Sequence, residues 1–180
     1  MASTSGVSSS KFYKENGYIF VEDESIGNLV THLEDLSLSD DAILDKAKSV
    51  LLQIESAVSI LQPYLNRPHI QLCHALGPDP GHRFVFSLQT GMTDRIILHI
   101  CSPKFDAEFY QASHTGTLPV AAAANGLLEV PGAALRRRGN TPIPVTMDTG
   151  GIAIHDLRYV FQIKSGSTIS WDLKETEQEE

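Results

Sequence analysis

The chain has 180 residues, a hydrophobic fraction of 42% and a formal net charge of −8. That length suits one domain with a sizeable core. The acidic balance argues against a general nucleic-acid binder, which needs a basic face.

Taken in chain order, the N-terminal "MASTSGVSSSK" is polar and lacks the apolar stretch of a secretory signal. No window approaches the roughly 20 apolar residues of a membrane span, so a cytoplasmic protein without a membrane partner is expected. Residues 1–11 and the acidic 173–180 are expected as disordered tails around a single α+β domain over 12–172. "GYIFVED" (17–23) has the aromatic and β-branched content of a strand. "SIGNLVTHLEDLSLSDD" carries no firm assignment. Ser39 is a good N-cap, with Asp40 and Asp41 in the first turn. From there Ile43, Leu44, Ala47, Val50, Leu51, Ile54, Ala57, Val58 and Leu61 recur at three- and four-residue steps. That stripe predicts one long amphipathic helix over 40–62, ended near Pro63.

Beyond it the period changes to two. "HIQLCHAL" (69–76), "HRFVFSL" (82–88) and "RIILHIC" (95–101) read as strands, joined by "GPDPG" and "QTGMTD" turns into an antiparallel meander. In "SHTGTLPVAAAANG" (113–126), Gly116 permits a special backbone, Thr117 can cap, Pro119 fits a first helical turn and Gly126 fits a stop. A short alanine-rich helix is expected there. "TPIPVTM", "IAIHD" (152–156), "LRYVFQIK" (157–164) and "STISW" (167–171) supply further strands. The fold class is therefore α+β: a single lobe with a curved, mostly antiparallel sheet wrapped on a long helix and a short alanine-rich helix.

Candidate chemistry is sparse. The orphan N–H groups of a helix starting at Thr117 would meet a carboxylate or phosphate with several donors, although capping by Ser113 and Thr117 alone explains the same residues. His114 beside that turn can act as acid or base. Cys101 and Lys104 sit three residues apart, the arrangement of an activated thiolate, while the apolar run around Cys101 favours burial. "MDTGG" (147–151) places Asp148, Thr149 and Gly150 in a tight turn fit to line a cleft. Arg136, Arg137 and Arg138 read as a solvated run or an anion attractor. Cys73 and Cys101 lack CxxC partners, so neither metal nor cofactor is expected, and both read as buried thiols of a reducing compartment.

Three stretches, "EDLSLSDDAILDKAKSVLLQIESAV", "RPHIQLCHA" and "SPKFDAEFYQASHTGTLPVAAAA", followed by "TPIPVTMDTGGIAIHD", resemble in order the second lobe of the PrpF-like methylaconitate isomerases. The likeness spans about residues 34–164. It implies a diaminopimelate-epimerase-like fold and an anion-binding turn at Thr115–Gly116–Thr117. The family's catalytic thiol and lysine belong mainly to a first lobe that this chain is too short to hold. Asp148 and Gly150 stand where the family has the histidine and serine of its HPSG turn.

Two functions follow from these expectations. One is an isomerase or tautomerase of a small carboxylic acid. Its proton-transfer groups would be drawn from Cys101, Lys104, His114 and Asp148, and its substrate contacts from Ser113, Thr115, Gly116, Thr117, Thr149 and Gly150. A homodimer would supply the missing cleft wall. The other is a non-catalytic single-lobe binding or interaction module of the same fold.

Overall fold

The computed structural model describes residues 9–34, 39–66, 68–91 and 94–175. Their elements run α1 (Ser9–Asn16), β1 (Tyr18–Glu22), α2 (Glu24–Glu34), α3 (Asp40–Leu51), α4 (Glu55–Asn66), β2 (His69–Leu76), β3 (Phe84–Val85), β4 (Arg95–Cys101), β5 (Phe105–Tyr110), β6 (Ala121–Ala122), β7 (Leu128–Glu129), α5 (Gly132–Arg138), β8 (Pro142–Met147), β9 (Gly151–His155), β10 (Phe161–Ser165) and β11 (Thr168–Lys174). The strands form two antiparallel sheets, a major one ordered β1-β9-β4-β11-β2 and a minor one ordered β6-β7-β3-β10-β5-β8. Among the described residues no helix is long and apolar enough to cross a membrane.

The two-residue period decides what each face of the major sheet meets. On one face Ile96, Leu98, Ile100, Ile152, Ile154, Trp171 and Leu173 pack against Ile26, Val30, Leu44, Leu51, Leu61 and Leu65 of the helices. On the other, Cys101 and Ala153 join Phe105, Phe109, Phe161 and Ile163 of the minor sheet in a second core between the sheets. Both faces of β4 are thus covered, which is why its sequence is a near-continuous apolar run rather than an alternating one.

The long helix of the sequence reading is two helices. Ser39 caps the first as expected, its Oγ accepting from the Ala42 N–H at 3.4 Å. The chain then turns at Leu52–Gln53, and α4 restarts at Glu55. The apolar stripe crosses this break because Leu51 and Ile54 face the same core on either side of it. Pro63 lies inside α4, and the helix continues to Asn66. Leu51 is fully buried, so Leu51→Ala should cost about 2–5 kcal/mol in a urea melt. A change of midpoint too small to resolve would show that this face is wrongly assigned.

Other expectations change as well. The single curved sheet is two sheets, and 69–101 is no meander: β2 and β4 flank β11 in the major sheet, while β3 joins the minor one. β11 lies inside the major sheet, between β4 and β2. No helix forms at 117–126. Residues 117–120 are irregular, and β6 pairs with β7 across a turn in which Gly126 adopts φ +84° and Asn125 Oδ1 accepts from the Leu127 N–H at 3.0 Å. Four alanines are too few to nucleate a helix against that turn. Helix α1 covers 9–11 of the expected N-terminal tail, and β11 covers 173–174 of the C-terminal one; 1–8 and 176–180 lie outside the described residues. β8, "PIPVTM", borders the minor sheet with Pro142 and Pro144 and among the described residues pairs with β5 alone.

Candidate functional site

The residues singled out from the sequence are not gathered at one place. Cys101 is fully buried on the inner face of β4, and burial pushes its thiol up to about 12, far from a reactive thiolate. Lys104 Nζ and Asp148 Oδ1 form an exposed pair at 3.5 Å. Thr149 is held by Glu22, whose Oε1 accepts from its N–H at 2.9 Å and its hydroxyl at 3.1 Å. Gly150, at φ +90°, lies where a Cβ would come within 2.4 Å of the Gly27 Cα, so the close approach of α2 accounts for it.

The 113–117 turn is tied into its surroundings by side-chain hydrogen bonds. Ser113 Oγ accepts from the Val160 N–H at 2.8 Å, and Thr115 Oγ1 donates to the Ala112 carbonyl at 2.7 Å. Arg138, at the end of α5, donates to the Thr115 carbonyl and to the Thr117 carbonyl, the latter at 3.4 Å. Gly116 adopts φ +70° directly beneath that guanidinium, where a Cβ would lie 3.2 Å from it. A guanidinium clamped on carbonyls is the reverse of an anion cradle. His114 stacks on Tyr159 with ring centroids 5.0 Å apart and planes 16° from parallel; burial lowers its pKa.

Two other places hold chemistry. The first lies between the sheets, where β11, β4 and β9 are neighbours. Ser170 stands opposite His99, with Oγ 2.6 Å from Nδ1. His99 Nε2 is 2.7 Å from His155 Nε2, and the rings stack 4.8 Å apart. His155 Nδ1 is 2.8 Å from the Asp156 carbonyl. A carbonyl only accepts, so neutral His155 carries its proton on Nδ1. Its Nε2 then accepts from His99 Nε2–H, and His99 Nδ1 accepts from the Ser170 hydroxyl. Desolvation holds both imidazoles neutral, lowering His99 well below its ordinary value and His155 to about 4. Phe86, Phe109 and Phe161 surround the pair, Phe161 with its centroid 5.3 Å from His99 and 5.9 Å from His155.

The second place is a cleft beside Phe84 and Phe161. It has a volume of about 230 Å³ and runs over Ala75–Gly77, Pro78 and Asp79, floored by Leu76, Phe84, Phe161 and Ile163. It adjoins a second hollow of about 300 Å³ bounded by Asp79, His82, Ala122–Ala124 and Glu129; Asp79, Phe84 and Asn125 line both. The antiparallel partnership of Phe84 with Phe161 builds the floor. His82 Nδ1 lies 2.7 Å from Asp79 Oδ1, and that hydrogen bond raises the imidazole pKa. Sequence reading passed over this site, taking "GPDPG" as turn chemistry alone. An aspartate three residues before a histidine, at the mouth of a strand pair, was the available signal.

No known family pattern and no curated protein sequence matches the chain. Its structure is similar to SnoK, a non-heme α-ketoglutarate-dependent carbocyclase from nogalamycin biosynthesis, with TM-score 0.60 and 11% identity over 96% of this chain and 85% of that one. It is also similar to the epimerase SnoN in complex with Fe3+, α-ketoglutarate and nogalamycin RO (TM-score 0.56, 12% identity, 93% and 82% covered). A third neighbour is EctD from S. alaskensis with 2-oxoglutarate and 5-hydroxyectoine (0.53, 12%, 97% and 78%). At such identities the likeness speaks for the fold, and that fold is a cupin-like double-sheet sandwich. It overturns the PrpF-like, diaminopimelate-epimerase-like resemblance. The small-acid isomerase and the single-lobe module both rested on that resemblance, and neither survives the change of fold; the homodimer invoked to complete the isomerase cleft loses its reason too. What the chain shares with these enzymes is the two-sheet scaffold.

Proposed function

We propose that this protein takes up a small molecule in the Leu76–Asp79–Phe84–Phe161 cleft, and that it does so without an iron centre. The observation that carries the reading is the cleft itself: concave, floored by apolar and aromatic side chains, and edged by a few polar groups. The Asp79–His82 pair places one acid–base group on its rim. Because Asp79 accepts from Nδ1–H, neutral His82 keeps Nε2 bare for a proton.

The residues present do not fit the iron of the neighbouring enzymes. Non-heme iron of that kind is held by two imidazoles and one carboxylate around open positions. In this chain the two interior imidazoles spend their Nε2 atoms on each other and their Nδ1 atoms on Ser170 and the Asp156 carbonyl. The buried carboxylate of Asp172 is engaged by both Nε and Nη2 of Arg95. Among the described residues no group of three or more His, Cys, Asp or Glu stands ready to hold a metal. Phe86, Phe109 and Phe161 pack around the histidine pair. A small carboxylate is also a poor fit, since Asp79 and Glu129 would repel it.

Two measurements test the reading. Titration of Fe(II) with α-ketoglutarate into the purified protein should show no stoichiometric uptake. A fragment screen by ¹H–¹⁵N NMR should give shifts concentrated at the amides of Gly77, Asp79, Asn125 and Ile163. Tight uptake of iron, or fragments that all map elsewhere, would overturn it.

A further inference from the structure

We propose that the molecule this cleft selects is a small organic ammonium, an amine or quaternary nitrogen carried on a short apolar or aromatic body; the inference rests on the small-molecule reading above. The two adjoining hollows divide the labour. The inner one offers Leu76, Phe84, Phe161 and Ile163 to an apolar body. The outer one offers the carboxylates of Asp79 and Glu129 to a charged head. Phe84 lines both, and an aromatic ring attracts a cation that has shed water more strongly than it attracts a neutral group.

The charge balance favours a cation. Among the described residues, neither hollow is lined by lysine or arginine. The nearby Arg83 is engaged by the Tyr110 hydroxyl at 2.8 Å, its guanidinium lying 5.8 Å from that ring's centroid. Lys164 is paired with Glu108. The one basic group on the rim is His82, set against two carboxylates, so the rim carries net negative charge whether His82 is protonated or not. An anion would meet repulsion and find no compensating fork of donors. A neutral molecule would gain the floor and leave the rim unused.

Three probes of one shape decide it: benzyltrimethylammonium, benzyl alcohol and phenylacetate, each titrated into the full chain while the amides of Gly77, Asp79 and Asn125 are followed by NMR. The ammonium should bind about tenfold more tightly than the alcohol, as expected of a partly desolvated cation–π and ion-pair contact, and phenylacetate should not saturate. Glu129→Gln should weaken the ammonium several-fold and leave the alcohol unchanged. Added salt should act in the same way on the ammonium alone. If alcohol and ammonium bind equally at these amides, or phenylacetate binds best, the ammonium assignment is overturned while the small-molecule cleft stands. If none of the three moves these amides, the cleft reading falls with it.

Discussion

Phe161→Ala should destabilise the protein by about 3–5 kcal/mol, the range for removing a buried aromatic ring. Phe161 is 1% exposed and sits at the centre of an aromatic cluster, 6.4 Å from Phe84, 5.8 Å from Phe86 and 6.1 Å from Phe109 between ring centroids. Its loss removes transfer free energy and leaves a void that strands on either side cannot close, because β10 is hydrogen-bonded to both β3 and β5. The same ring lines the cleft and packs on the histidine pair. Water entering the void would reach His99 and His155 and relieve their desolvation. A urea melt reads the first effect. A loss below about 1 kcal/mol would mean that the neighbouring rings collapse into the gap.

The second large effect is a loss of stability in mild acid. His99 and His155 are buried and held neutral, with His155 lowered to about 4. In the unfolded chain both would titrate near 6.5. Below that pH the unfolded state binds more protons than the native one, so stability falls as pH falls. Their contribution is complete above about pH 6.5 and is lost progressively toward pH 4. For His155 alone the interval from 6.5 to about 4 corresponds to about 3 kcal/mol. His114, also lowered, acts in the same direction. His82, raised by Asp79, acts in the opposite one, but it is exposed and its share is small. The lowered carboxylates Glu108 and Asp156 lose their contribution only as pH falls through the ordinary carboxylate range and below, under the pH of the melts described next. Melts at pH 7.5, 6.5 and 5.5 should therefore show a steadily falling midpoint. Phe161→Ala, which admits water to the pair, should show a shallower fall. A wild-type midpoint that is flat or rises on acidification would show that the imidazoles are not carried neutral through folding.

Local patterns were legible in this sequence and partnerships were not. The runs 69–76 and 95–101 announced β2 and β4 because apolar residues dominate short segments bounded by turn residues. Ser39 announced the start of α3. The break between α3 and α4 stayed hidden because Leu51 and Ile54 keep one apolar face across a two-residue turn. The alanines of 121–124 suggested a helix on propensity alone, and the pairing of β6 with β7 overrode it. The clamp of Arg138 on the 115–117 turn is a contact between segments that no local pattern announces. The candidate site shows the same limit. Phe84 and Phe161 meet only because two distant segments pair in register, and neither looks like more than a strand residue in its own stretch.

The prolines of β8 bear on how this protein behaves when crowded. A bordering strand normally displays a row of unpaired N–H and C=O groups on which another chain can grow a further strand. Pro142 and Pro144 have no N–H, and being two apart they remove two of the three donors on one side of the strand, leaving that of Thr146. Among the described residues β8 pairs with β5 alone, and the Thr141 carbonyl accepts from the Gln111 N–H at 2.8 Å, so Pro142 and Pro144 lie on the side turned away from the sheet. A second molecule approaching that border would find acceptors with the Thr146 N–H as the one donor among them, too few for the alternation that a ladder requires. Fibril growth by strand addition is thus blunted at β8, and replacing both prolines with threonine should be the change that turns this border into a seed.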